Sequence, residues 1–313
     1  MNKKKILITG AAGFLGSHLC DKFLENGYNV YGVDNLITGN INNIEHLKNN
    51  NSFEFIEHDV TKKINLKISP KYILHFASPA SPIDYLKYPI ETLRIGSIGS
   101  FNILDFANSN NCTILVASTS EVYGDPLIHP QHEDYFGNVN PIGPRSVYDE
   151  AKRFMESLTM AYSNKYGLNT RIVRIFNTYG PRMRVDDGRA LPTFFDQSLN
   201  NKDITVFGDG SQTRSFCYVS DLIDGITKLL FSEYKYPVNI GNNEEITLID
   251  FAKQIIDLTQ SKSKIIFKPL PEDDPKKRRP NLDRANSILN WVPKINTVCG
   301  LKLTYEYFKN NLK

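Results

Sequence analysis

A run of three glycines near the N-terminus constrains the fold more than any other feature of the sequence. The apolar segment Lys5–Thr9 leads into Gly10-Ala-Ala-Gly13-Phe-Leu-Gly16, and a helical pattern follows over residues 17–25. Glycines at a strand-to-helix turn let the backbone approach a pyrophosphate closely, and the helix N-terminus attracts its negative charge. The spacing is looser than Gly-x-Gly-x-x-Gly, but the physical role of the glycines is the same. The segment therefore predicts a dinucleotide-binding unit.

An acidic residue at the end of the next strand indicates which dinucleotide binds. A strand is expected over residues 28–33, and Asp34 follows it, 18 residues after Gly16. A carboxylate at about this place binds the ribose 2′-hydroxyl of NAD and would repel the 2′-phosphate of NADP. Strand, glycines, helix, strand and acid in this order predict NAD as the cofactor.

Strands and helices continue to alternate through the first half of the chain. Further strands are predicted near residues 53–59, 72–77, 113–117 and 170–176, with helices over residues 89–108 and 148–166. Alternation of this kind predicts an α/β protein of Rossmann type, with a doubly wound parallel sheet.

The pattern becomes less regular after about residue 180. Shorter strands follow, with helices over residues 193–200 and 248–259, another from residue 221, and one at the C-terminus. We therefore assign residues 1–180 to an NAD-binding Rossmann domain that carries the catalytic residues. Residues 181–313 form mainly a smaller substrate lobe, interleaved with the first. A chain of 313 residues is long enough for two such joined units.

A tyrosine and a lysine four residues apart are the strongest candidates for catalysis. Tyr148 and Lys152 share one face of a predicted helix, and the strand at 113–117 ends near Ser118 and Thr119. Removing hydride from an alcohol carbon requires loss of the hydroxyl proton, and a tyrosine with a pKa of roughly 10 is a weak base at neutral pH. A nearby ammonium and a cationic nicotinamide favour the phenolate, and Thr119 or Ser118 can hold the reacting oxygen. The alternative, an ordinary amphipathic helix with a solvated lysine, is disfavoured by the glycine-rich turn upstream.

Composition excludes several other classes of protein. The formal net charge of +3 is close to balance, so no nucleic acid or anionic membrane is expected as a partner. The apolar runs are of strand length, and the basic residues 1–5 precede too short an apolar run for a signal peptide. The cysteines are scattered and form no close pair for a metal or redox site: Cys20, Cys112, Cys217 and Cys299. We therefore expect a cytoplasmic protein with reduced cysteines and no metal.

Six longer stretches carry a family resemblance that covers nearly the whole chain. They include His75-Phe-Ala-Ser-Pro-Ala-Ser-Pro82, Ser118-Thr-Ser-Glu-Val-Tyr-Gly-Asp-Pro126 and Asn140-Pro-Ile-Gly-Pro-Arg145. The others lie at residues 182–189, 208–216 and 273–280. Together they resemble the extended short-chain dehydrogenase/reductase family that acts on nucleotide sugars, and within it most closely the UDP-glucuronic acid decarboxylases, or UDP-xylose synthases.

The resemblance implies a redox reaction that is recycled internally. NAD takes hydride from C4 of the glucuronosyl ring while Tyr148 takes the hydroxyl proton. The resulting 4-ketone lies β to the C6 carboxylate, so loss of carbon dioxide leaves an enolate, which Thr119 and the phenol can stabilise. Protonation at C5 and return of the hydride then give UDP-xylose.

Ser120 and Glu121 distinguish this activity from those of related enzymes. In the 4,6-dehydratases an Asp occupies the position of Ser120 and protonates the departing hydroxyl, for which a serine is far too weak an acid. Epimerases of the family usually lack a carboxylate at the position of Glu121. That carboxylate could handle the C5 proton or position a water, or it could merely bond loop amides. A 4,6-dehydratase, a 4-epimerase or a non-catalytic protein that binds NAD or a nucleotide sugar is the alternative function.

The resemblance also assigns binding residues. The cofactor is expected to contact Tyr148, Lys152, the glycine turn and the strand ends: Gly10, Gly13, Phe14, Leu15, Gly16, Asp34, Asn35, Thr38, Gly39, Asp59, Val60, Phe76, Ala77, Ser78, Ala117 and Thr178. For the substrate, the diphosphate is expected at Asn177, Arg214 and Arg278, and uridine near Thr205 and Phe207. Ser81 and Ser120 are expected near the sugar carboxylate. Arg189 is expected in the cleft, where it could contact the cofactor, the substrate or a neighbouring loop. The basic run at residues 276–279 could instead be solvated charge, balanced by the acidic residues 272–274.

Two of the predicted helices carry more apolar residues than one buried face needs. These residues lie within 89–108 and 148–166: Ile90, Leu93, Ile98, Phe101, Phe154, Met155 and Leu158. The resemblance implies that these helices pair in a homodimer; the alternative is packing against the substrate lobe. One position departs from the family, because Gly96 stands where many members have Asn. A water or hydrogen bond supplied by that Asn is expected to be missing.

Overall fold

The computed structural model describes residues 3–270 and 277–311, and its central element is a seven-stranded sheet. The strands, in chain order, are β1 (Lys5–Thr9), β2 (Asn29–Asp34), β3 (Phe53–Glu57), β4 (Tyr72–His75), β5 (Thr113–Thr119), β6 (Thr170–Ile175), β7 (Thr178–Tyr179), β8 (Ile204–Phe207), β9 (Thr213–Ser215), β10 (Cys217–Tyr218), β11 (Pro237–Ile240), β12 (Glu245–Thr247), β13 (Ile265–Lys268) and β14 (Lys277–Arg278). The helices are α1 (Phe14–Glu25), α2 (Pro82–Lys87), α3 (Pro89–Arg94), α4 (Ser100–Ser109), α5 (Ser146–Tyr166), α6 (Ala190–Leu199), α7 (Val219–Phe231), α8 (Leu248–Thr259), α9 (Asp283–Leu289) and α10 (Thr297–Asn311).

The central sheet is parallel throughout and has the order β11-β6-β5-β4-β1-β2-β3. Its strands are apolar because helices cover both faces: Ile6, Leu7 and Ile8 of β1 are fully buried. The strand order reverses between β1 and β4, and ligands of open α/β sheets bind at the carboxyl ends of strands at such a point. The prediction of a doubly wound Rossmann fold is confirmed.

The C-terminal part of the chain contributes to this sheet and also forms small sheets of its own. β11 returns from the second half of the chain and pairs with β6 at the edge of the main sheet. The small sheets, β8 with β13 and β12-β9-β14, lie after residue 180 in the chain, as do α6, α8 and α10. One cluster of buried apolar side chains runs from Ile8 through Leu222 on α7 to Phe308 on α10. The two parts therefore share a core.

Several element boundaries differ from those predicted. Helix α1 begins at Phe14 rather than at residue 17, because Gly13 takes the extended N-cap position and Ser17 N donates to Gly13 O at 3.1 Å. The helix predicted over residues 89–108 is interrupted by a π-helical turn, Ile95–Gly99, between α3 and α4. Residues 271–276, with the acidic residues predicted to balance the basic run, lie outside the described residues. In the part of the chain that is described, no helix is long and apolar enough to cross a membrane.

Candidate active site

A pocket lies at the carboxyl ends of β1 to β4, where the cofactor was predicted. Eleven predicted residues line it: Gly10, Gly13, Asp34, Asn35, Thr38, Gly39, Asp59, Val60, Phe76, Ala77 and Ser78. The sequence missed eight others: Val33, Ile37, His58, Thr61, Pro79, Glu91, Arg94 and Ile95. Five of these eight residues are next to predicted ones in the sequence. The other three, Glu91, Arg94 and Ile95, lie on or directly after α3, which reaches the pocket only through tertiary packing.

The glycine turn leaves room for a diphosphate because its backbone packs without side chains. Gly10 has a φ of +74°, and a Cβ there would lie 2.8 Å from Ala77 N. A Cβ on Gly16 would lie 1.9 Å from Gly10 O, so any side chain would push α1 away from the turn. No side chain caps the N-terminus of α1, where Phe14 and Leu15 begin the helix. Unpaired amides at a helix N-terminus suit phosphate oxygens.

Asp34 is held rigidly at the rim of the pocket. Its carboxylate accepts hydrogen bonds from Ala12 N at 3.0 Å and Leu36 N at 2.8 Å. Burial raises the pKa of Asp34, and these backbone bonds oppose the rise. Gly39 packs against it, since a Cβ there would lie 2.8 Å from Asp34 Oδ1. The glycine cradle, the open helix end and this fixed carboxylate fit the diphosphate and ribose of NAD.

Tyr148 and Lys152 lie side by side on α5, facing the end of β5. Lys152 Nζ donates to Ala117 O at 2.9 Å and lies 5.7 Å from the centre of the Tyr148 ring. Burial lowers the pKa of Lys152 to about 8. Burial raises the pKa of Tyr148, and the Glu121 carboxylate raises it further, whereas a hydrogen bond with Thr119 and the charge of Arg189 lower it. The predicted catalytic trio is therefore assembled around the Tyr148 hydroxyl.

Of the two hydroxyls considered for the reacting oxygen, Thr119 is the one bonded to Tyr148. Ser118 instead donates its hydroxyl to Glu156, one turn beyond Lys152 on α5. Arg174 holds both oxygens of Glu156, at 2.9 and 2.7 Å. The partly buried ion pair holds Glu156 in place, and the Ser118 hydrogen bond to Glu156 fixes the end of β5, next to Thr119, against α5.

Glu121 lies between two arginines next to this centre. Arg145 Nη2 donates to Glu121 Oε2 at 2.7 Å, and the Arg278 guanidinium donates to Oε1. Burial would raise the pKa of Glu121, but the charges of Arg278 and Arg145 outweigh it and hold the pKa at about 2. Glu121 therefore binds arginines rather than loop amides, the alternative considered above. The sequence did not predict either pairing.

Two further buried groups at this centre were missed from the sequence. The Tyr85 ring stacks on that of Tyr148, with centroids 5.1 Å apart and planes 10° from parallel. Among the described residues, nothing bonds the buried Tyr85 hydroxyl or Asp149 Oδ1. Burial, reinforced by the charge of Glu121, raises the pKa of Asp149 to about 7. Unsatisfied buried polar groups at a site indicate a missing ligand or water.

The other predicted substrate residues are distributed around the cleft. Arg189 forms an ion pair with Asp187, which identifies its partner as the neighbouring loop. Ser81 caps α2 by accepting from Asp84 N at 3.2 Å, and Ser120 is buried in the short 3₁₀-helix Ser120–Tyr123. Thr205 bonds Gln197, Phe207 ends β8 with its ring exposed, and Arg214 pairs in register with Arg278 of β14. Asn177 follows β6. Thr178, which was predicted to contact the cofactor, donates to Phe176 O.

Gly96 allows the π-helical turn to pack closely against α5 beside Lys152. It lies in the π-helical turn, and a Cβ there would come within 2.5 Å of Ala151 Cβ and 2.8 Å of Ala151 O. The Asn that the family resemblance implies at this position could not fit without moving one of the two helices. No group of three His, Cys, Asp or Glu side chains in the described ranges is placed to bind a metal ion.

The fold and the site define a class: Rossmann-fold enzymes that exchange hydride between a bound nicotinamide and an alcohol. The chain belongs to the NAD dependent epimerase/dehydratase family, whose model matches residues 6–241. It is 47% identical over 312 residues to UDP-glucuronic acid decarboxylase 1 of Danio rerio, covering 100% of this chain and 74% of that one.

Two solved structures have the same fold over almost the full chain. The UDP-glucose 4-epimerase of Thermotoga maritima, solved with UDP-glucose, superposes with a TM-score of 0.92 at 29% identity, covering 99% of this chain and 100% of that one. The UDP-glucuronic acid 4-epimerase of Bacillus cereus, solved with UDP-glucuronic acid and NAD, has a TM-score of 0.88 at 29% identity, with coverages of 98% and 99%.

Proposed function

We propose that the protein is an NAD-dependent UDP-glucuronate decarboxylase that forms UDP-xylose through a 4-keto intermediate. One observation carries the proposal: two arginines hold the pKa of Glu121 at about 2, and the charge of this carboxylate acts on Tyr148. A dehydratase needs a carboxylic acid at this end of the sugar. The likeness to the Danio rerio decarboxylase over the whole chain supports the same reaction.

Tyr148 is the group that accepts the proton of the C4 hydroxyl. When bound, NAD supplies the hydride acceptor for C4 and later the hydride donor. Because burial raises the pKa of Tyr148, its phenolate requires positive charge, which Lys152 and Arg189 supply. Thr119 bonds the same oxygen and is placed to stabilise the enolate that forms when carbon dioxide leaves.

Glu121 serves as a fixed negative charge rather than as a proton donor. With its pKa held at about 2, it is ionised at every pH at which the protein is expected to work. It can orient a water that protonates C5, which was one of the two roles considered. Neither Glu121 nor the weakly acidic Ser120 can protonate a departing C6 hydroxyl, and this favours decarboxylation over dehydration.

The charge balance near the sugar suits a carboxylate that must leave as carbon dioxide. A strong unpaired cation would stabilise the ground-state carboxylate, which the transition state is losing. The charges of Arg145 and Arg278 are already partly neutralised by Glu121. We therefore assign the contacts to the C6 end to hydroxyl donors: Ser81, Ser120 and Tyr85, whose hydroxyl has no hydrogen-bond partner within residues 3–270 and 277–311.

The remainder of the substrate is assigned to the lobe side of the cleft. Arg214 and Asn177 would bind the diphosphate, and Thr205 and Phe207 the uridine. Arg278 stands beside Arg214 in the register of β14 on β9, while its guanidinium reaches Glu121. We therefore place Arg278 between the diphosphate and the sugar, a narrower role than the diphosphate contact expected from the sequence.

We also propose a homodimer formed by α3, α4 and α5. Five residues expected at the interface are well exposed in the chain, so the substrate lobe does not cover them: Ile90, Leu93, Ile98, Phe101 and Phe154. Met155 does not belong to this face, because it is 2% exposed and packs in the apolar cluster beneath the sheet. Leu158 packs against the same cluster.

Light scattering should give twice the chain mass for the wild-type protein. Phe101→Asp should give a monomer, whereas Phe267→Asp on β13 should not. A monomeric wild-type protein at micromolar concentration would disprove the dimer.

A cytoplasmic location is proposed on the state of the cysteines. All four are free thiols, and burial raises the pKa of Cys112 to about 12, which keeps it protonated. Free thiols persist in a reducing compartment. Fractionation of the cells that make the protein would test the location.

The function is tested by incubating the protein with UDP-glucuronate and NAD and identifying the nucleotide sugars by mass spectrometry and NMR. UDP-xylose should form, with a mass lower than the substrate by one carbon dioxide. UDP-glucose should bind but give neither carbon dioxide nor a stable product. Formation of UDP-galacturonate alone, which has the same mass as the substrate, would show that the protein is a 4-epimerase.

A further inference from the structure

Residues 181–189 form a segment, here called the strap, that is tied at its start to α1. The ring nitrogen Nε2 of His18 donates to Pro181 O at 2.9 Å. Arg182 donates to the Asp21 carboxylate at 2.5 Å. Both partners lie on α1, the helix whose N-terminus follows the glycine turn. The strap therefore starts beside the predicted diphosphate site.

Arg184, in the middle of the strap, joins two loops at the top of the sheet. Its Nη2 donates to both oxygens of Asp84, at 3.0 Å each, and its Nη1 donates to Thr38 O at 3.5 Å. Asp84 lies in the first turn of α2, after β4, and Thr38 lies in the loop after β2. The Asp84 side chain is 12% exposed, so the ion pair is partly shielded from water. Charge-assisted bonds of this kind are stronger than neutral ones.

The strand order fixes what this bridge passes over. β1 lies between β4 and β2, so a link between the loops after β4 and β2 crosses the end of β1. That end is the glycine turn, where a dinucleotide places its diphosphate. A further contact holds the strap on the α2 side, because a Cβ on Gly188 would lie 2.6 Å from the Ile83 side chain.

We propose that Arg184 is a positioning residue whose ion pair with Asp84 closes the strap over the diphosphate of the dinucleotide and slows its release. The inference rests on the proposed function only in taking NAD as the cofactor. A reaction in which hydride leaves C4 and returns to it requires the reduced cofactor to stay bound until the second transfer. A strap that retains the dinucleotide provides this.

The test measures release of the cofactor from the substrate-free protein. Bound NADH is displaced by a large excess of NAD in a stopped-flow fluorimeter, and the dissociation rate is read from the nicotinamide fluorescence. Arg184→Gln and Asp84→Asn should each release NADH about tenfold faster than the wild-type protein, since each breaks the same charge-assisted pair. Lys253→Gln, which removes one positive charge from an exposed ion pair on α8, is the matched control and should release NADH at the wild-type rate.

A second readout separates loss of the strap from general damage. Adenosine, which carries no phosphate, occupies only the adenosine side of the pocket, so its affinity should be unchanged in both variants. The double variant Arg184→Asp/Asp84→Arg should release NADH more slowly than either Arg184→Asp or Asp84→Arg alone, because it restores the ion pair with the two charges exchanged.

Three results would overturn the proposal. They are release at the wild-type rate in both single variants, faster release in Arg184→Gln but not in Asp84→Asn, and a parallel loss of adenosine affinity. The second result would mean that Arg184 attracts the diphosphate directly, without the ion pair. No sugar substrate enters these measurements, so failure of the decarboxylase assignment would be seen separately, in the product analysis.

Discussion

The guanidinium of Arg278 lies against the carboxylate of Glu121, although the two residues are 157 positions apart in the chain. Arg278 is supplied by β14, from the substrate lobe, and its side chain is only 4% exposed. Glu121 is supplied by the turn after β5, in the Rossmann sheet. The contact therefore joins the two parts of the molecule near Tyr148, and together with Arg145 it holds the pKa of Glu121 at about 2.

Replacing Arg278 should change the pH dependence of turnover. In the wild-type protein the pKa of Glu121 is held at about 2, so Glu121 contributes no acid limb above about pH 4. In Arg278→Ala burial is opposed by Arg145 alone, and the pKa of Glu121 should rise. The fall of the rate at low pH, measured from pH 4 to 8, should therefore begin at a higher pH than in the wild-type protein. Arg279→Ala, which breaks a more exposed ion pair with Glu245, is the control and should keep the wild-type dependence of rate on pH. If the rate of this control also fell at low pH, the effect would not be specific to Glu121.

Tyr148→Phe should lose turnover by about 10²- to 10⁴-fold while keeping its affinity for NAD, because only the proton acceptor is removed. The stacked Tyr85 ring should hold the new phenyl ring in place, so the thermal transition should change little. Calorimetric titration with NAD and a turnover assay check both parts. Substantial activity in this variant would defeat the assignment of the base.

NADP should bind at least tenfold more weakly than NAD, because its 2′-phosphate would meet the fixed carboxylate of Asp34. Asp34→Asn should narrow the ratio of the two dissociation constants. Asp59→Asn, at the β3 side of the same pocket, should weaken both cofactors and leave the ratio unchanged. Equal affinities of the wild-type protein for NAD and NADP would show that Asp34 does not contact the ribose.

Gly96→Asn should destabilise the protein, although the family resemblance implies Asn at this position. The side chain would enter the space occupied by Ala151, and overpacking of this kind costs about 1–3 kcal/mol of unfolding free energy. Urea unfolding measures the loss. Ser97→Asn, in the same π-helical turn, should be nearly neutral. Equal stability of Gly96→Asn and the wild-type protein would mean that α3 and α5 separate without cost.

The parts of the molecule that could be predicted are those encoded locally. The Gly10 to Gly16 turn, Asp34 at the end of β2 and the i, i+4 pair Tyr148 and Lys152 each depend on neighbouring residues, and the structure contains all of them as expected. Alternation of strands and helices was likewise sufficient to predict the sheet, because right-handed crossovers leave few topologies.

The parts that could not be predicted depend on contacts between distant segments. The sequence gives no sign that Arg278 reaches Glu121, that Tyr85 stacks on Tyr148, or that Arg184 meets Asp84. The π-helical turn also escaped prediction, since its cause is the close approach of Gly96 to Ala151 on another helix. Nor could the sequence tell which apolar residues of α5 face the sheet: Met155 is buried, whereas its neighbour Phe154 is exposed.

The central claim is that hydride leaves C4 and returns to C4 on one bound cofactor while the C6 carboxylate is lost. It is tested most directly with UDP-glucuronate that carries deuterium at C4 and ¹³C in the carboxylate, incubated with the protein and an excess of unlabelled NAD. We predict UDP-xylose that retains deuterium at C4, one labelled carbon dioxide for each product molecule, and no accumulation of NADH. Deuterium in the free NADH pool, or a product sugar that keeps the labelled carboxylate, would contradict the claim.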